Sequence, residues 1–123
     1  MSHLGHSLIL YVKNPAESAS FYGRLLAREP VDQSPNFAMF ALGPQGMLGL
    51  WATHDVQPAA TPAGGSELCL TLADRAAVDA CLTRWETLGA KVLQRPTAMD
   101  FGYTFTVADL DGHRVRVFAP AAA

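Results

Sequence analysis

One pattern of residues occurs twice in this chain, and this repetition constrains the fold more than any other sequence feature. Leu8–Val12 is a run of β-branched, aromatic and aliphatic residues that predicts a strand, and Asn14 then caps an amphipathic, helix-like stretch. Sixty residues later the order returns, because Leu68–Leu72 predicts a strand and Asp74 caps a second amphipathic stretch. With this offset of 60 residues, the helix cap Asn14 aligns with Asp74 and the first strand aligns with the second, so the sequence predicts a tandem duplication.

Three short extended segments follow each predicted helix, and clusters of Gly and Pro separate them as turns. The segments are Arg28–Gln33, Phe37–Leu42 and Met47–Ala52 in the first half, and Lys91–Arg95, Gly102–Val107 and Arg114–Phe118 in the second half. The stretch Thr53–Ser66 has no periodicity and predicts a linker. The expected fold class is α+β, with two βαβββ modules.

The length of the chain fits one domain built from these two modules. It has 123 residues, of which 50% are hydrophobic, and this is enough for a single compact core. We expect one domain over residues 1–123, with module 1 at about 6–53, a linker at about 54–66 and module 2 at about 67–119.

Charge and hydropathy exclude several classes of partner. Only 16% of the residues are charged, they are scattered singly, and the formal net charge is -2, so we expect no nucleic acid partner. The apolar runs are far shorter than the roughly 20 residues that a bilayer requires, and no signal segment is present, so we expect no membrane partner and a cytoplasmic location. Cys69 and Cys81 lack a CxxC spacing and are expected to be buried thiols.

Several segments resemble those of a known superfamily. Tyr11–Pro15 leads into Ser18–Tyr22, and Ala108–His113 closes the second module with an Asp-Leu-Asp-Gly turn. These segments are similar to the opening and closing motifs of the vicinal oxygen chelate superfamily, which includes glyoxalase I, extradiol dioxygenases and the bleomycin resistance proteins, although Leu110 stands where proline is common. Within the superfamily, Leu48–Trp51 and Asp100–Phe105 most resemble the phenazine antibiotic resistance group.

The resemblance implies that the curved mixed sheets of the two modules form a concave, barrel-like cavity, with the helices outside. It also allows a test for the metal site of the superfamily's enzymes. Their four ligand positions correspond here to Ser7, Trp51, Glu67 and Arg116. Trp51 cannot ligate a metal, and the guanidinium of Arg116 would repel one, so the sequence predicts no metal, no cofactor and no catalytic residue. The alternative is an enzyme of the lyase, dioxygenase or transferase type that uses an atypical metal site including His6 and Glu67, or uses Glu67 as an acid or base.

Strand alternation identifies the side chains that would line the concave face instead. The predicted ligand-binding residues are Ser7, Ile9, Tyr11, Met47, Gly49, Trp51, Glu67, Arg116 and Phe118. This mixture suits a flat, partly polar organic molecule, with Trp51 as a stacking surface, Gly49 leaving room, and Glu67 or Arg116 fixing orientation. Glu67 and Arg116 could equally form an ion pair with each other or remain solvated.

The function that follows is metal-independent binding of a small planar aromatic compound. The resemblance implies that this compound is a phenazine-like antibiotic, that sequestering it confers resistance, and that the protein is a homodimer with two equivalent sites. A structural or partner-binding module is a third class, but neither a basic patch nor an exposed apolar helix supports it.

Overall fold

The computed structural model describes residues 5–121 and contains two βαβββ units, one ending at Ala63 and the other beginning at Gly64. Each unit has one helix and a four-stranded mixed sheet. The predicted α+β class with two repeated modules is therefore confirmed.

The first unit holds sheet 1. Its elements are β1 (His6–Val12), α1 (Pro15–Leu26), β2 (Asp32–Ser34), β3 (Phe37–Ala41) and β4 (Gly46–Ala52). The strand order is β1-β4-β3-β2, with β1 parallel to β4 and the other pairs antiparallel. Because β1 and β4 run in the same direction, α1 and the short strands β2 and β3 together form the connection between them.

The second unit repeats this arrangement in sheet 2. Its elements are β5 (Glu67–Thr71), α2 (Arg75–Thr87), β6 (Lys91–Met99), β7 (Gly102–Ala108) and β8 (Arg114–Pro120). The order is β5-β8-β7-β6, with β5 parallel to β8. The first strand of each unit therefore pairs with the last strand of the same unit.

Both helices begin at the caps that the sequence predicts. The Asn14 side chain accepts a hydrogen bond from the backbone N–H of Glu17 at 3.1 Å, and Asp74 does the same for Ala77 at 2.8 Å. The helices have 12 and 13 residues. Within residues 5–121, no helix has both the length and the apolar character needed to cross a membrane.

The buried core of each unit lies between its helix and one face of its sheet. In the first unit, Leu10 and Leu50 are almost completely buried on the same side as Phe40 and pack toward α1. In the second unit, Trp85 of α2 makes an edge-to-face contact with Phe105 of β7, with ring centroids 5.5 Å apart. Burial of large apolar side chains contributes about 1.5–3 kcal/mol each, so this helix-facing layer holds each unit together.

Three segments differ clearly from their predicted boundaries. Strand β2 is Asp32–Ser34 rather than Arg28–Gln33. The linker begins with a short 3-10 turn, Thr53–Asp55, and β6 continues to Met99 rather than ending at Arg95.

Strand β6 contains Pro96 and tolerates it because β6 is the outermost strand of sheet 2. Its register against β7 shifts on both sides of Gln94, which changes the face that its residues occupy.

Candidate functional site

Each sheet has a second face, opposite the face that packs on its helix, and we call this the helix-free face. On sheet 1, strand alternation places the predicted residues of β1 and β4 there, as expected. The parallel register aligns Ser7 with Met47, Ile9 with Gly49 and Tyr11 with Trp51. Phe37 and Met39 of β3 lie opposite Trp51 and Gly49, so they join this face although the sequence did not single them out for it.

The space over Gly49 is filled by neighbouring side chains. A Cβ at this position would lie 2.5 Å from Cδ1 of Ile9 and 2.9 Å from Cζ of Phe37. The expectation that Gly49 leaves open room for a ligand is therefore wrong for this structure, since the missing side chain allows Ile9 and Phe37 to approach the strand. Ile9 remains 37% exposed, so it forms the outer surface at this point.

Trp51 is held at the end of β4 by two contacts. Its Nε1 donates a hydrogen bond to Oδ2 of Asp55 at 2.8 Å, and its ring meets Tyr11 edge to face with centroids 6.5 Å apart. The side chain is partly exposed rather than buried in the core. An indole fixed by a hydrogen bond at one edge offers a rigid apolar surface with little rotational freedom left to lose.

On sheet 2, Glu67 and Arg116 form a two-point ion pair. Nε of Arg116 donates to Oε1 of Glu67 at 2.8 Å, and its Nη2 donates to Oε2 at 3.0 Å. These bonds hold the pKa of Glu67 below its ordinary value and raise that of Arg116, in each case against the opposing effect of burial. Of the alternatives considered from the sequence, the mutual ion pair is confirmed.

Further polar groups hold the Arg116 side chain in place. Its Nη1 donates to Oε1 of Gln94 at 2.9 Å and to Oγ1 of Thr104 at 3.3 Å. Oγ1 of Thr106 also donates to the same Gln94 oxygen at 3.3 Å. Gln94 could not be assigned to this face from the sequence, because the register shifts of β6 disturb simple alternation.

An aromatic pair borders this polar network. Phe118 and Phe101 meet edge to face with centroids 5.7 Å apart, and the guanidinium carbon of Arg116 lies 5.8 Å from the centre of the Phe101 ring. Phe101 is 45% exposed, as is Met99, whose sulfur accepts a hydrogen bond from Gln94. Phe101 lies in the turn after β6, where strand alternation gives no information, so the sequence could not distinguish it from a core residue.

Cys69 also lies on the helix-free face of sheet 2. It is exposed and sits opposite Arg116 in the β5–β8 register, so the expected burial of this thiol is wrong. Partial desolvation and the Glu67 carboxylate raise the pKa of Cys69. The sulfur therefore stays protonated at neutral pH and is a poor nucleophile.

The four positions that correspond to metal ligands do not form a donor set here. Arg116 is a permanent cation and already holds Glu67, the carboxylate among the four. Trp51 offers only an N–H, which donates to Asp55. Among residues 5–121, no three His, Cys, Asp or Glu side chains come together in a way that could hold a metal ion. These residues do not fit a metal.

His6 does not compensate for this loss within the first unit. The register from His6 to Val12 against β4 is continuous, without a bulge, so His6 lies on the opposite side of the strand from Ser7. Its imidazole Nε2 lies 3.2 Å from where a Cβ of Gly46 would be. The side chain therefore rests over its neighbouring strand on the helix side of sheet 1.

The repeated βαβββ units agree with the match to a known family. The model of the Glyoxalase/Bleomycin resistance protein/Dioxygenase superfamily matches residues 2–117, so the chain belongs to this superfamily. The predicted resemblance is confirmed.

Among individual relatives, the phenazine antibiotic resistance protein EhpR of Enterobacter agglomerans is 29% identical over 112 residues, covering 89% of this chain and 86% of that protein. Protein ATC0852 of Agrobacterium tumefaciens, a solution NMR structure, is 46% identical with a TM-score of 0.87 and covers 99% of this chain and 100% of its own. A glyoxalase-related enzyme from Fulvimarina pelagi shares the fold at 22% identity, with a TM-score of 0.84 and coverage of 100% and 94%.

Proposed function

We propose that the protein binds a small planar aromatic compound of the phenazine type without a metal and thereby sequesters a toxic antibiotic. The observation that carries this proposal is the similarity to a phenazine antibiotic resistance protein over 89% of the chain. Binding without catalysis also agrees with the residues at the metal-ligand positions, because the indole of Trp51 and the guanidinium of Arg116 stand where two of the ligands would be.

The helix-free faces offer suitable contacts for such a compound. Flat heteroaromatic molecules stack on fixed aromatic rings, and each unit presents one such ring that is partly exposed, Trp51 on sheet 1 and Phe101 beside sheet 2. Tyr11 and Phe118 support the two rings from the side. In this proposal the surface around Trp51 on sheet 1 is formed by the other predicted residues, Ser7, Ile9, Met47 and Gly49. Ile9 covers the strand at Gly49.

The alternative is an enzyme in which Glu67 transfers a proton. A general base works best with a pKa near the pH at which it acts. The pKa of Glu67 is held below its ordinary value by Arg116, and both carboxylate oxygens accept hydrogen bonds from that side chain. Glu67 is therefore a weak base with little freedom to reach a substrate, which favours binding over catalysis.

A sequestering protein must reach its ligand before the ligand reaches its target. We propose that it acts in the cytoplasm as a homodimer with two equivalent sites, as expected from the superfamily resemblance. No nucleic acid and no membrane takes part in this proposal.

The test is replacement of the proposed stacking surface, Trp51→Ala, followed by calorimetric titration with a panel of phenazines and other tricyclic compounds. We expect the affinity to fall by about 1–3 kcal/mol, by analogy with stacking of bases on aromatic side chains, while thermal unfolding changes little. Val31→Ala is the control, since Val31 is a large apolar residue with 61% exposure outside both helix-free faces.

Two results would contradict the proposal. Unchanged affinity together with a large loss of stability would make Trp51 a packing residue. Failure of the unmodified protein to bind any compound of the panel would remove the phenazine class.

A further inference from the structure

One arginine on sheet 2 has little of its hydrogen-bonding capacity in use. Glu67 lies next to two guanidinium groups, but Arg116 takes both of its oxygens at 2.8 and 3.0 Å. Arg114 approaches Oε2 of Glu67 only to 3.9 Å, and its side chain is 60% exposed. That distance is too long for a hydrogen bond, so the planar donor fork of Arg114 is open to an additional anion.

Arg114 also lines a cavity. The cavity has a volume of about 730 Å³ and lies at the end of sheet 2 where β5 and β8 begin. Its walls are formed by Gly64, Gly65, Ser66, Glu67, Cys69, Gly112 and Arg114. A Cβ at any of the three glycines would meet nothing within 4 Å, so no side chain crowds this space.

The acidic residues near the cavity do not neutralise the positive charge of Arg114. Glu67 is engaged by Arg116, as described above. Asp109, in the turn between β7 and β8, is buried, and its Oδ1 accepts the backbone N–H groups of Asp111 and His113. Neither Asp109 nor Asp111 lines the cavity. Arg114 is therefore the charged donor that an entering molecule would meet.

We infer that this cavity receives the anionic group of the ligand, and that the ligand class is a planar aromatic acid. The inference rests on the proposed function and adds to it a charge requirement. Arg114 and Phe118 lie on the same face of β8, four residues and therefore about 13 Å apart along the strand. A ring system lying against Phe101 and Phe118 would extend over Arg116 and bring a carboxylate to the Arg114 guanidinium.

The experiment compares two probes of nearly the same shape, of which one is an anion and the other a neutral amide. Phenazine-1-carboxylate and phenazine-1-carboxamide are titrated by calorimetry into the unmodified protein, Arg114→Gln, Arg114→Lys and Arg95→Gln. Arg95→Gln is the matched control, because Arg95 is an exposed arginine paired with Glu86 away from the cavity and its loss changes the net charge equally. Thermal unfolding of each variant verifies that it is folded.

We expect the unmodified protein to bind the acid up to about fivefold more tightly than the amide, since an ion pair at an exposed site contributes at most about this factor. Arg114→Gln should remove the preference without weakening amide binding, Arg114→Lys should retain part of it, and Arg95→Gln should leave it intact. Equal binding of both probes by the unmodified protein, or a preference that persists in Arg114→Gln, would overturn the inference and leave the proposed function standing. Failure to bind either probe would overturn both.

Discussion

At the scale of single residues, Arg116 determines what the helix-free face of sheet 2 can do. It stands where the superfamily's enzymes carry a metal-binding carboxylate, and it satisfies Glu67 with two hydrogen bonds. A guanidinium cannot lose its charge at physiological pH, so this cation is permanent. The result is a fixed, partly buried ion pair bordered by the rings of Phe101 and Phe118.

The first prediction concerns the pH dependence of this ion pair. Because the pKa of Glu67 is below its ordinary value of 4.5, the pair contributes stability above pH 4.5 and loses it as the pH falls through the lowered value. Glu67→Gln should therefore lower the free energy of unfolding by about 2 kcal/mol at pH 7, with the difference shrinking below pH 4.5. Urea denaturation of both proteins between pH 7 and pH 3 measures this.

Glu29→Gln is the control for that experiment, since it makes the same substitution at an exposed glutamate outside this ion pair. A difference for Glu67→Gln that stays constant down to pH 3 would show that the pair does not stabilise the folded state through ionisation.

The second prediction is that the protein holds no tightly bound divalent metal. Arg116 adds positive charge where a metal would lie, and Trp51 provides no lone pair. Protein purified without added metal and analysed by mass spectrometry for zinc, nickel, manganese and iron should contain far less than one ion per chain. One ion per chain that a chelator removes only with loss of structure would contradict this.

The residues of the site could be predicted from the sequence only in part. Alternation along β1, β4, β5 and β8 assigned the right face to all the predicted residues, because a period of two is a local property. Gln94 and Phe101 were missed, since a register shift and a turn place them and neither follows from alternation. The crowding over Gly49 was also missed, because it depends on how Ile9 and Phe37 orient across three strands.

At the scale of elements, the β7–β8 pairing depends on a glycine at its end. Gly102 has a φ of 152°, and a Cβ there would lie 2.0 Å from the carbonyl oxygen of Ala119. This atom belongs to the backbone of β8 and cannot move away without breaking the pairing. Turn residues in the sequence predicted the ends of β3 and β4 to within one residue, whereas this close approach between strands exists only in the folded sheet.

The third prediction follows from that contact. Gly102→Ala should reduce the free energy of unfolding by more than about 3 kcal/mol, because it combines backbone strain with a clash against main-chain atoms. Gly43→Ala is the matched control: a Cβ there meets nothing within 4 Å, so its effect should stay within about 0.5 kcal/mol. Chemical denaturation measures both, and similar stabilities for the two variants would refute the strain argument.

At the scale of the whole molecule, duplication was the most predictable property. The two helix caps, the two parallel first-to-last strand pairs and the four remaining strands repeat in the same order. These features follow from local sequence and from the rule that parallel strands need a long connection. The association of chains is different, because no local pattern encodes it, and it remains a proposal.

The fourth prediction concerns that association. If two chains form the proposed sites, light scattering at micromolar concentration should give twice the 13.2 kDa mass of one chain. The ligand stoichiometry should then be two per dimer in the same calorimetric titrations. A mass of one chain together with tight ligand binding would show that a single chain forms the site alone.

The Glu67–Arg116 pair also affects how the chain matures in a cell. A cation that belongs to the polypeptide is present as soon as the chain folds, and neither chelators nor metal starvation can withdraw it. The second unit therefore needs no metal delivery and no maturation step to neutralise Glu67. The charge balance of this pair is therefore independent of the supply of transition metals in the cell.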